Sequence, residues 1–261
     1  MKICITGKGG CGKSMVAVLM SKVLAARGYS VLLVDADESN LGLQRLLGLK
    51  SEPRPLLEYL GGKPALQKKM IDAFKQSTGE PQMVILPQES ISLSDLPPDY
   101  IASADGISVL RIGKIEHAME GCACPMGALA RDFLEKLSLG DREVVITDHE
   151  AGLEHFGRGV ERGVDAVLIV VDPSYESLLL AEKIESLAKG FGVRTLVALN
   201  RATPDVVDEM KSELKKRGID VSGSIGYDPE VFRACLKGEP LNAAEAEKDV
   251  AALIDVIGLK G

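Results

Sequence analysis

With 261 residues, 46% of them hydrophobic and 26% charged, the chain is long enough to bury the core of one large α/β domain. Its formal net charge of −7 argues against a nucleic-acid or anionic-membrane surface as main partner, because both require clustered positive charge. No uncharged apolar run of about 18 residues occurs, and Met1-Lys2 leads directly into a strand-like Ile3-Cys4-Ile5 without a signal-peptide pattern. A cytoplasmic location is therefore expected, in which the five cysteines are core residues or reactive or ligand thiols and not disulfides.

Short apolar runs alternate with segments of helical period along the chain. The alternation predicts strands at 2–6, 31–35, 84–86, 108–112, 144–148, 166–171, 195–200 and 222–225. Helices are predicted at 13–27, 126–137, 175–189, 204–217 and 245–257. This is the signature of a doubly wound, mostly parallel sheet flanked by helices, here read as a single domain over residues 1–261. Seven prolines break 51–105 into short pieces with too few apolar residues for a core of their own, so this interval is read as an excursion from the sheet.

The first strand runs into Gly7-Lys-Gly-Gly-Cys-Gly-Lys-Ser14, which fits the phosphate-binding pattern G-x-x-x-x-G-K-[ST]. A glycine-rich turn opening a helix gathers backbone N–H groups and the positive end of the helix dipole around one point. Gly9, Gly10, Cys11, Gly12, Lys13, Ser14 and Met15 are the expected nucleotide-binding positions. Lys13 would contact the terminal phosphates and the Ser14 hydroxyl would ligate Mg²⁺. Two further strands end in acids, Asp35 and Asp37 in one and Asp148 in the other, at the sheet edge where α/β proteins bind ligands. Asp148 would hold Mg²⁺ through a water, and Asp37 would orient or deprotonate an attacking water. An Asp after a strand is also a common turn or N-cap residue, a plainer reading that the set as a whole weakens.

Lys8, the extra lysine, makes the loop resemble the deviant Walker A motif K-G-G-x-G-K-[ST] of the MinD, ParA and nitrogenase iron-protein class of dimeric ATPases. The resemblance implies a P-loop fold, ATP with Mg²⁺, and a homodimer in which Lys8 acts catalytically on the phosphates of the neighbouring subunit, as an arginine finger does. It also implies that Asp35-Ala-Asp37 and Asp148-His-Glu-Ala-Gly152 are the two switches, and that Asn200, Arg201 and Pro229 serve the adenine.

Gly121-Cys-Ala-Cys-Pro125 supplies two thiolates one residue apart, flanked by turn formers. Two such pairs meeting across a two-fold axis would give a four-sulfur site suited to Zn²⁺ or another thiophilic metal. Two small core residues that happen to be neighbours is the alternative, and His117 is a nearby histidine that is either a further ligand or solvated. Cys4 and Cys235 fit core positions. C-x-C together with the 151–159 segment closely resembles the CooC-type accessory ATPases. That resemblance implies nickel or zinc on Cys122 and Cys124 and ATP-dependent nickel delivery to carbon monoxide dehydrogenase or acetyl-CoA synthase. The alternatives are a dimeric ATPase with a bridging iron–sulfur cluster, or a positioning ATPase of the MinD or ParA kind.

Overall fold

Strands covered by helices on both faces read as nearly unbroken runs of Val, Ile and Leu, and the central strands here are such runs: Ala166 to Val171 is buried at every position. The computed structural model describes residues 1–37, 42–76, 84–113, 124–149 and 163–259, apart from the side chains of 73, 74, 76 and 124. In chain order its elements are β1 (Lys2–Gly7), α1 (Lys13–Ala26), β2 (Ser30–Ala36), α2 (Leu43–Leu46), α3 (Leu56–Tyr59), α4 (Gly62–Gln76), β3 (Ile101–Ala104), β4 (Ile107–Arg111) and α5 (Cys124–Lys136). There follow β5 (Glu143–His149), β6 (Ala166–Val171), α6 (Tyr175–Phe191), β7 (Arg194–Ala202), α7 (Pro204–Lys216), β8 (Gly223–Gly226), α8 (Pro229–Lys237) and α9 (Ala244–Ile257).

The strands form one sheet in the order β3-β4-β2-β5-β1-β6-β7-β8, parallel except for the β3–β4 pair. Relative to β1, the chain winds one way to β2 and β4 and the other way to β6, β7 and β8, which leaves a crevice beyond the carboxyl end of β1. On one face, α1 and α9 bury Val16, Leu19, Val250 and Ile254 against Ile3, Leu33 and Leu168. On the other, α5, α6 and α7 bury Phe133, Ile184 and Leu214 against Cys4, Val145 and Ile169. The expected doubly wound fold is thus the observed one.

Two local expectations are corrected. Residues 84–86 are not a strand: the Asp132 carboxylate on α5 accepts the backbone N–H groups of Ile85 (3.1 Å) and Leu86 (2.7 Å). Those donors are consumed by a side chain, so the segment docks on a helix, with Ile85 and Leu86 in the core and Val84 exposed. Within the 51–105 excursion, 101–104 is the antiparallel edge strand β3, joined to β4 through Asp105-Gly106, both with positive φ (51° and 79°). That is the two-residue turn an Asp-Gly pair favours. The excursion also supplies α3 and α4, and Leu56, Leu57 and Leu66 enter the main core. Helix α9 packs its apolar stripe on α1, and Arg27 holds its far end through Asp255 Oδ1 (2.8 Å) and Leu259 O (2.8 Å).

Candidate nucleotide site

The loop between β1 and α1 is shaped by close approach. A Cβ on Gly7 would lie 2.4 Å from Val170 O, and one on Gly12 2.3 Å from Asn200 Nδ2, and both glycines have positive φ (148° and 98°). Gly12 is the N-cap of α1 and carries no side-chain cap, and the first turn holds no acid, so the positive helix end is left for an anion. Lys13 is largely buried, with its ammonium near Lys8 O (3.4 Å). A cleft of about 410 Å³ opens over the loop, where Gly9, Gly10, Gly12, Lys13, Ser14 and Met15 face Asp37 and Arg201. These predicted residues are therefore brought together.

Cys11 is not among the cleft residues. Its side chain is fully buried in the core, where loss of solvation pushes the thiol up to about 11, so it contributes only backbone. Its N–H donates to Lys8 O (3.2 Å) and its carbonyl accepts from Asn200 Nδ2 (2.6 Å). The other end of that amide, Asn200 Oδ1, is buried without a hydrogen-bond partner, an acceptor suited to the amino group of an adenine. A bulge between Asn200 and Ala202 puts Arg201 in the left-handed region (φ 59°) and turns its guanidinium onto Gly10 O (2.9 Å). A smaller cavity of about 50 Å³ adjoins the cleft and is walled by Met15, Asn200, Tyr227, Asp228, Phe232 and Cys235. Pro229, the expected adenine residue, is exposed in the first turn of α8, behind Asp228.

Asp148 is fully buried at the end of β5, in register with Asp35 of β2 and Ile5 of β1. Burial raises its carboxyl to about 7; the Ser14 hydroxyl and Lys13 pull it down, and Asp35 and Asp37 push it up. A hydroxyl beside carboxylates whose mutual repulsion a dication would relieve is a hard-oxygen donor set that fits Mg²⁺. Ser14 and Asp148 would hold the ion, which supplies charge neutralisation for the phosphates.

Lys8 does not enter its own cleft. Its ammonium pairs with Glu176 Oε2 (3.0 Å) and lies 3.4 Å from Ser174 Oγ, at the start of α6. The Glu176 bond holds the ammonium above its ordinary range. Sequence reasoning missed this partner, although Asp172-Pro-Ser174-Tyr-Glu176 follows an apolar strand beside β1 at the ligand-binding edge. It also gave no helix at 229–237, although Asp228-Pro229 marks the start of α8 and Gly238 (φ 64°) its end, and it placed Cys235, which lies in a helical pattern, in the core, whereas that residue is exposed at the cleft. Cys122, His117, Glu150 and Gly152 lie outside the described residues; Cys124 opens α5.

The model of the CobQ/CobB/MinD/ParA nucleotide binding domain matches residues 2–241. The chain is 43% identical to an uncharacterized ATP-binding protein of Methanocaldococcus jannaschii, over 97% of this chain and 99% of that one. It is 31% identical to the carbon monoxide dehydrogenase accessory protein CooC of Rhodospirillum rubrum, over 99% and 98% of the two chains. Its fold is similar to that of the septum site-determining protein MinD from Pyrococcus horikoshii, solved with Mg-ADP: the TM-score is 0.68 at 18% identity, covering 98% of this chain and 95% of that one. A loop built to cradle phosphates, a buried acceptor at the base cavity and these matches lead to one statement: the chain belongs to the CobQ/CobB/MinD/ParA nucleotide-binding domain family and is an ATPase.

Proposed function

We propose that this ATPase is a cytoplasmic metallochaperone that binds nickel or zinc through Cys122 and Cys124 across a homodimer interface and delivers nickel to carbon monoxide dehydrogenase or acetyl-CoA synthase. The observation that carries the reading is the Gly121-Cys-Ala-Cys-Pro125 pair in a chain that is 31% identical, end to end, to the Rhodospirillum rubrum accessory protein. Two thiolates from one chain fill half of a tetrahedral thiophilic site, so a second copy completes it. Coupling to ATP then follows from shared geometry, because the same two-fold axis would bring Lys8 to the partner's phosphates. Nucleic acid and membrane have no part in this reading, in keeping with the net charge of −7 and with the acids Glu245, Glu247, Asp249 and Asp255 on the polar side of α9. Among the described residues no helix is long and apolar enough to cross a membrane.

The test is metal content and oligomeric state of the purified protein with and without ATP. The expected result is about one metal per dimer, lost in the Cys122→Ser/Cys124→Ser protein. Full metal content in that double variant refutes the assignment, visible absorption from an anaerobic preparation points to a cluster instead, and ATP-dependent co-sedimentation with liposomes or DNA points to positioning.

A further inference from the structure

We propose that Arg201 is a positioning residue that holds the phosphate loop in shape, and not the adenine contact that its place beside Asn200 implies; the role belongs to the ATPase site and does not depend on the thiolate reading.

Side chains on a regular strand alternate between the two faces. Along β7 they do so up to the cleft: Leu196 and Ala198 lie in the core on the α1 side, Val197 and Leu199 in the core on the other. Continued, that alternation would send Asn200 towards α1 and Arg201 to the opposite face. It is Ala202 that joins Val197 and Leu199 in the core. Arg201 is the extra residue of the bulge, for Asn200 pairs with Ile225 and Ala202 with Gly226. The insertion lets two successive side chains reach one target. Asn200 Nδ2 donates to Cys11 O (2.6 Å) and Arg201 Nη1 donates to Gly10 O (2.9 Å), which are successive carbonyls of the phosphate loop.

The backbone at this position favours glycine, yet an arginine occupies it. A φ of 59° is the left-handed region, which a residue with a long side chain adopts only where its surroundings offset the strain. The bond from the guanidinium to Gly10 O is such a contact. Arg201 lines both the phosphate cleft and the base cavity, so proximity does not assign it to either, whereas its hydrogen bond is made to the loop.

What the grip achieves follows from the planar trans peptide, in which a C=O and the N–H of the next residue point opposite ways. Fixing Gly10 O and Cys11 O against the end of β7 therefore fixes the directions of the Cys11 and Gly12 N–H groups. The Cys11 N–H donates to Lys8 O (3.2 Å), the same oxygen that the Lys13 ammonium approaches (3.4 Å). Donors of the loop thus converge on one acceptor, the arrangement a phosphate oxygen needs. Gly9, Gly10 and Gly12 leave the loop free backbone torsions, so the order must come from outside it, and β7 supplies it.

The experiment separates phosphate from base. Binding of tripolyphosphate, which has no base, and of ADP is measured by calorimetry with Mg²⁺ in about 0.5 M salt, where the loss of an exposed charge counts little. In Arg201→Gly both affinities should fall by a similar factor of about tenfold or more, the loss expected for a hydrogen bond from a charged donor. Glycine adopts the φ of this position without strain, so the variant should fold, which a thermal scan checks. Arg201→Lys, which keeps the charge and a donor, should recover part of both affinities. Weakened ADP binding with tripolyphosphate binding unchanged would assign Arg201 to the base and overturn the proposal, and so would unchanged binding of both.

Discussion

A carboxyl group that must be charged to hold a cation sits, in Asp148, where burial favours its neutral form. Its value of about 7 lies above the ordinary 3.8, so in this state the folded chain keeps a proton that the unfolded chain has released. The sign follows from linkage: stability from this group is fully present below pH 3.8 and is lost as pH rises through about 7. Cation binding has the opposite preference, since the carboxylate is the ligand and its proton must leave. Two outcomes are expected. Without nucleotide, Asp148→Asn should melt higher than the unaltered protein above pH 7, by a margin that shrinks steadily as pH falls towards 3.8, in thermal scans. The Mg²⁺ dependence of ADP affinity should strengthen as pH rises through about 7 and vanish in the variant.

Helix α5 shows how one side chain can decide what a neighbouring segment becomes. Asp132 is nearly fully buried and holds Ile85 and Leu86 by their N–H groups, while Lys136 bonds both to it (3.1 Å) and to Leu86 O. Asp132→Ala would leave two buried donors and an ammonium without their acceptor, and such losses cost about 3 kcal/mol. Urea unfolding should show a destabilisation of that order with the ATPase rate little changed, because α5 packs on the face opposite α1. The same contact explains what the sequence could and could not reveal. Parallel strands are legible because burial on both faces forces continuous Val, Ile and Leu, and α1 is legible because Gly12-Lys-Ser14 both starts a helix and binds phosphate. Val84-Ile-Leu86 has the same composition as a strand, and only a carboxylate some 46 residues away makes it a docked loop. Likewise Lys8 was legible as a signature, whereas its bond to Glu176 arises from the placement of β6 beside β1, a long-range fact that local pattern does not carry.

The whole molecule is organised so that one lysine is kept out of its own cleft. Lys13 points into the phosphate site from α1, and Lys8, five residues earlier, is held at the rim by α6, where a second copy could receive it. An exposed ion pair of this kind is weak enough to exchange for a more negative partner, and a bound triphosphate is one. If Lys8 serves the neighbouring subunit, two inactive variants must repair each other. A Lys8→Ala chain keeps an intact cleft and lacks a donor; a Lys13→Ala chain has a disabled cleft and a sound donor. In an equal mixture with free exchange, half of the dimers are mixed and each has one working site, so ATPase activity should recover to about a quarter of the unaltered rate. Neither variant alone should exceed background. Failure of the mixture to recover activity while mixed dimers are demonstrably present would place Lys8 in service of its own subunit. The bond to Glu176 would then be part of the working site and not a resting place.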